Sequence, residues 1–255
     1  MKSNVWVVVL AAFAVTVFSC NKKEQTCNLG KMFVTDGSNT TRPTVYSYYA
    51  DGRIQKVLHP TLNKDSIAYT TDSVFVWSRD NKDSLVAYLA ASLANGQNIG
   101  TGSKTYYNYL GAVTGTETTA AQYNTAGQLE SKTTNSSIGL QANTFNYSNG
   151  NRTSGKHYSG STHDIDYLFF YNTAQNKTGF DFFEFNYTTL FGKTDNNLLD
   201  SIYMIQLPAN DTIRVQFAHT LDRNGYLSKT VRTYLTPVSG MDTKYVTYQY
   251  FNCSK

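Results

Sequence analysis

The residues best suited to chemistry gather in one stretch, where His157, His163, Asp164 and Asp166 fall close together. On a strand successive side chains alternate sides, so Asp164 and Asp166 would share a face, as an acid and base pair or as calcium ligands, while His163 would point away. That split disfavours a joint site, and two solvated aspartates at a strand start is the simpler reading. The chain lacks HExxH, CxxC and GxSxG and has only 4 histidines. Gly96 to Lys104 is glycine-rich, yet Ser103 follows Gly102 where a phosphate loop needs lysine, so it reads as a flexible hairpin loop. No metal, no cofactor and no catalytic residue is assigned. Aromatic faces offer a binding chemistry instead. Trp77, Tyr106, Tyr107, Tyr109, Tyr167 and Tyr171 are candidates for stacking on sugar rings, against the alternative that they are core and cross-strand pairs.

The elements that would position these side chains are strands. Tyr at 20, Phe at 14 and abundant Thr favour them, while 16% charged residues and few periodic runs of helix formers argue against helices. Asp211 to Leu221 alternates most clearly, with Ile213, Val215, Phe217 and Leu221 on one face and Thr212, Arg214, Gln216 and Thr220 on the other. Tyr226 to Leu235 places Leu227, Val231 and Leu235 together. Further strands are predicted at Thr44–Tyr49, Ser73–Trp77, Thr105–Tyr109, Phe145–Tyr147, Asp164–Tyr171, Asp181–Tyr187, Ser201–Leu207 and Lys244–Phe251. The expected fold is all-β, a single large antiparallel meander of hairpins forming a soluble, barrel-like or strongly curved sheet. The net charge of +4 is too mild and too scattered to imply nucleic acid.

The N-terminus gives an address. Met1-Lys2 and the apolar run Val5 to Val17 have the layout of a signal peptide, too short for a comfortable membrane span. Val17-Phe18-Ser19-Cys20 resembles the bacterial lipobox, which implies cleavage before Cys20 and lipidation of its sulfur. Two or three acyl chains, at roughly 0.8 kcal/mol per buried methylene, make a stable anchor. Residues 1–19 are thus a lipoprotein signal, 20–30 a lipidated N-terminus and linker, and 31–255 an all-β domain. Asn21-Lys22-Lys23-Glu24-Gln25 lacks an aspartate after the cysteine, which points to the outer membrane, at its periplasmic face or the cell surface. With Cys20 lipidated, Cys27 and Cys253 are left as an even pair in an oxidising compartment. A bridge would contribute up to roughly 5 kcal/mol by chain entropy. Two unpaired thiols are the alternative.

A weak repeat runs through the chain: Tyr48-Tyr49-Ala50-Asp51-Gly52-Arg53-Ile54, Tyr123-Asn124-Thr125-Ala126-Gly127-Gln128-Leu129 and Leu221-Asp222-Arg223-Asn224-Gly225-Tyr226-Leu227 share one plan, with a partial copy at Phe145 to Asn151. A strand ends, a turn opens on Asp or Asn, Gly takes positive φ, and an apolar residue starts the return. These turns resemble YD-type repeats. With Phe191-Gly192-Lys193-Thr194-Asp195-Asn196-Asn197-Leu198-Leu199-Asp200-Ser201-Ile202 they resemble a family of secreted lipoproteins of unknown function, with a porin-like fold, from gut-commensal Gram-negative bacteria. The resemblance implies a curved antiparallel sheet and no activity. A membrane-spanning barrel is the competing reading, disfavoured because such barrels usually end on an aromatic residue and need no lipid anchor.

The triplets Asp65-Ser66-Ile67, Asp72-Ser73-Val74, Asp83-Ser84-Leu85, Asp200-Ser201-Ile202 and Asp211-Thr212-Ile213 resemble an O-glycosylation acceptor of some gut Gram-negatives, though Asp and Ser also commonly open strands. The expected function is a lipid-anchored, non-catalytic binding or structural module, with membrane contact through the anchor and a glycan or another envelope protein as partner. A hydrolase of envelope or dietary polysaccharide, with paired carboxylates, is the alternative.

Overall fold

The computed structural model describes residues 28–35, 43–94, 98–177, 193–236 and 240–251. Cys20, Cys27, Cys253, the signal region and the expected strand Asp181–Tyr187 lie outside the described residues. The short strands come first: β1 (Asn28–Thr35), β2 (Thr44–Tyr48), β3 (Ile54–Leu58), β4 (Lys64–Tyr69) and β5 (Ser73–Arg79). Longer ones follow, β6 (Leu85–Ala94), β7 (Asn98–Tyr107), β8 (Val113–Tyr123), β9 (Leu129–Ser136), β10 (Gly139–Ser148) and β11 (Asn151–Ser159). The last are β12 (Thr162–Gln175), β13 (Asn197–Gln206), β14 (Asp211–Leu221), β15 (Leu227–Thr236) and β16 (Gly240–Phe251).

Every strand pairs antiparallel with the next, and β1 also pairs β16 from Asn28↔Phe251 to Thr35↔Tyr245. The curl is completed on the other side of β1 by just two residue pairs, Lys31↔Val45 and Met32↔Thr44. The expected meander is therefore one barrel with a thin closing seam. Its wall is also uneven. Strands β2 to β5 have 5 to 7 residues and β6 to β8 have 10 or 11, so at about 3.4 Å per residue one arc stands well above the other.

Six hairpins among the described residues turn in one way: Tyr49–Arg53, His59–Asn63, Asp80–Ser84, Asn108–Ala112, Asn124–Gln128 and Asp222–Tyr226. In each, the first N–H donates to the fifth carbonyl and the fourth N–H donates back to the first carbonyl. The fourth residue has positive φ, supplied by Gly at four turns but by Leu62 (69°) and Asp83 (73°) at the others. Asp80, Asn108, Asn124 and Asp222 each accept two backbone N–H groups on Oδ1, which fixes the turn locally.

Paired residues share a face, and the register therefore sorts the whole wall into an inner and an outer surface. Much of the inner surface is apolar. One buried cluster joins Met32, Leu129, Phe145, Tyr167, Phe169, Ile202, Val215, Phe217 and Leu227, and a second joins Ile54, Val57, Ile67, Val74, Val76, Ala91 and Ile99; Tyr46 packs against both. Burial in this core pushes the Tyr46 hydroxyl up to about 12. The outer surface carries Lys56, Lys64, Ser103, Thr116, Thr118, Asn135, Lys156, Asp166, Arg214, Gln216 and Lys229.

Bulges account for the places where alternation misleads. A register shift between Thr220 and Leu221 lets Leu227 point inward, but Val231 and Leu235 then face outward while Thr230 and Arg232 take the inner positions. The loop expected from Gly96 to Lys104 is instead largely strand β7, because glycine there brings two strands together: a Cβ on Gly102 would lie 2.6 Å from the Cβ of Ala91.

Beside register shifts, side chains also hydrogen-bond backbone carbonyls of the wall. Tyr48 donates to Leu29 O (2.5 Å), Tyr123 to Ile99 O (2.7 Å) and Tyr147 to Leu129 O (2.7 Å), each acceptor lying beside a register shift. His219 Nε2 fills the same role at Leu199 O (2.6 Å).

Candidate functional site

The barrel's two ends differ. At the end holding Asn28 and Phe251, the segment entering β13 crosses beneath the turns. Lys193 N–H donates to Gly127 O, Asn196 N–H to Gly150 O, and Arg152 N–H to the Asp195 carboxylate (2.8 Å). Asn151 and Asn197 exchange hydrogen bonds at 2.8 and 2.9 Å. Buried Arg152 lies over the rings of Phe145 and Phe169, with its Nε 3.6 Å from Asp195. This end is closed by a hydrogen-bonded network.

The opposite end is polar and open on its tall arc. Register places Lys104 and Tyr106 of β7, Glu117 and Thr119 of β8, Lys132 and Thr134 of β9, Gln141 and Asn143 of β10 and His157 of β11 on the inner face. All are half-buried, whereas the apolar inner residues nearer the closed end are buried. Tyr106 donates to Glu117 (2.9 Å), and the Lys104 ammonium lies 4.8 Å from the Tyr106 ring centre.

The His and Asp residues predicted from sequence do come near one another, in a different arrangement. Because His157 pairs Ile165 while Tyr158 pairs His163, Asp164 is an extra residue on β12. It is carried to His157 Nδ1 (2.6 Å) and Ser159 Oγ (2.6 Å). His163 instead joins Asp166 (3.0 Å) on the outer face and lies tilted against the Tyr158 ring, 5.2 Å between centroids. The expected Asp164–Asp166 pair is thus replaced by two separate His–Asp pairs. Desolvation would raise the Asp164 carboxyl, but the hydrogen bonds from Ser159 and His157 outweigh it and hold it below the usual carboxylate range. The Ser159 proton goes to Asp164 rather than to the histidine, so the trio lacks the Ser–His contact a nucleophile requires. Among the described residues no group of three His, Cys, Asp or Glu side chains is arranged to hold a metal.

The sugar-stacking candidates are scattered. Trp77 is on the outer face, grouped with Phe75 and Tyr88 at centroid distances of 6.1 and 5.6 Å. Tyr106 faces inward, Tyr107 outward, and Tyr109 sits on a turn tip at 84% exposure. Tyr167 is core, and Tyr171 packs against the same core. Phe75 and Tyr88, which complete the outer aromatic group, were not singled out by sequence; the i, i+2 spacing of Phe75 and Trp77 is the signal that carries it.

The candidate acceptor hydroxyls also separate. Ser66 and Ser84 are half-buried, Ser73 Oγ donates to Asp72, Thr212 is exposed, and Ser201 is buried at 3%. A groove of about 410 Å³ on the outer face is lined by Thr101, Thr118, Ala120, Thr133 and Asn135. It offers only small side chains and no convergent charge.

No protein-family model matches the chain, and no curated protein does. Solved structures do. It is similar to a porin-like protein from Bacteroides uniformis, with a TM-score of 0.67 and 16% identity over 88% of this chain and 98% of that one. A porin-like protein from Bacteroides vulgatus matches at a TM-score of 0.61 and 13% identity, over 88% and 99%. The fold is porin-like.

Proposed function

We propose that this protein is held to the outer membrane by a lipid on Cys20 and carries its barrel outside the bilayer, as a non-catalytic module that binds a glycan or another envelope protein. The observation that supports the reading is the polarity of the wall. A spanning barrel is apolar outside and polar within, and each Lys or Arg on its lipid face costs about 2–4 kcal/mol near the midplane. Here Lys156 and Asp166 pair on the outer face, while Phe145, Tyr167, Phe169 and Val215 face inward. A lipid anchor supplies the membrane contact that such a surface cannot. Binding is favoured over hydrolysis because the inward carboxylates Glu117, Asp164 and Asp65 are each committed to hydrogen bonds from neighbouring side chains.

Growth with a clickable palmitate analogue tests the anchor: the protein should acquire label, and Cys20→Ala should not. Unlabelled wild-type protein would sink it. A Cys27–Cys253 disulfide and O-glycosylation at Ser66, Ser73, Ser84 or Thr212 belong to the same reading of the compartment. Intact-mass measurement of protein from its native cells, before and after reduction, decides both. Ser201 should carry no glycan, since its hydroxyl is buried in the wall.

A further inference from the structure

We propose that the inner face of β8, β9 and β10, at the open end of the tall arc, binds a neutral oligosaccharide; this rests on the reading of the chain as a binding module. Thr119, Thr134 and Gln141 lie side by side across the three strands, with Asn143 one step further in. The side chains of these four residues make no hydrogen bond to another described residue, although all four point inward and are half-buried. Half-buried amides and hydroxyls need partners, and where the protein provides none, water or a ligand does. Neighbouring strands stand about 4.8 Å apart, so the row presents donors and acceptors at steps close to the length of a sugar ring. The charges around it balance. Lys104 and Glu117 flank it towards the rim, and Lys132 and the His157–Asp164 pair lie deeper, which leaves no field to select an anion or a cation. Amides and hydroxyls that each both donate and accept suit the hydroxyls of a neutral saccharide, whereas Thr116, Thr118 and Asn135 on the outer face are exposed.

The test is calorimetric titration of the full chain, in a detergent without sugar headgroups, against hexasaccharides of α-glucan, β-glucan, mannan and xylan, and against an acidic hexagalacturonate. Hydrogen exchange locates any binding. At least one neutral hexasaccharide should bind and slow exchange in β8 to β10, and the double substitution Gln141→Ala, Asn143→Ala should weaken it tenfold or more. Thr118→Ala, Asn135→Ala on the outer face should leave it unchanged. Neither pair should lower the melting temperature, since these side chains hold no described protein partner. Binding of hexagalacturonate alone would overturn the proposal. So would binding that perturbs Trp77 fluorescence and ignores the inner substitutions, an outcome that leaves the binding-module reading intact. No binding by any of the five sugars would count against both.

Discussion

At the scale of single residues, stability rests on a few buried hydrogen bonds beside the bulges. Tyr123 donates to Ile99 O (2.7 Å), and Tyr123→Phe would take that partner from a carbonyl inside the wall. A loss of about 1–3 kcal/mol is expected, read from the shift of a chemical denaturation midpoint, and an unchanged midpoint would refute this role. His219 behaves differently because it titrates. Burial lowers its affinity for protons, against smaller raising effects from Leu199 O and Asp200. A histidine whose folded pKa is depressed binds protons more readily when unfolded, so stability is fully present above about 6.5 and is lost as pH falls below it. The wild-type protein should therefore melt lower at pH 5 than at pH 7.5, and His219→Gln should flatten that difference. A separate loss at more acid pH is expected from Asp164, whose depressed pKa withdraws its contribution as pH falls through it.

The elements show what alternation can and cannot reveal. Strands with strong period-two patterns, such as β14 and β13, are legible in sequence because one face must be apolar. Strands β6 and β8 are not: LVAYLAASLA reads as readily as helix, and VTGTETTAAQY lines a partly solvated wall where no apolar face is needed. Turn chemistry was legible at Asn124 and Asp222, and missed at Asp80 and His59, where Asp83 and Leu62 hold the positive φ normally given to glycine. The bulge that moves Asp164 to His157 depends on pairing between strands, and no local pattern encodes it. The network at the closed end likewise joins residues far apart in the chain. Asp195→Ala would strand the buried guanidinium of Arg152 and free a backbone N–H, so a loss of about 3–5 kcal/mol is expected in denaturant unfolding. Gly127→Ala tests the turns more gently. The site is open in space but needs φ of 80°, so roughly 1 kcal/mol of backbone strain is expected from the same measurement.

For the whole molecule, we propose that a porin-like fold and a porin's relation to the membrane come apart. The chain arrangement is that of a closed antiparallel barrel with an apolar core inside and charged residues such as Lys156 and Asp166 on its outer face. The closing seam between β1 and β2 is the thinnest part of the ring, and its amides should exchange fastest among the paired strands in native-state hydrogen exchange. In the proposed reading the anchor and the exposed wall belong together, since each makes sense of the other. The most direct test replaces residues 1–20 with an ordinary cleaved secretion signal and follows the protein by cell fractionation. The barrel should then be found in the soluble periplasmic fraction, still folded by its far-ultraviolet β spectrum. Folded protein that stays in the outer membrane after carbonate washing would show that the barrel itself spans, and would contradict this account.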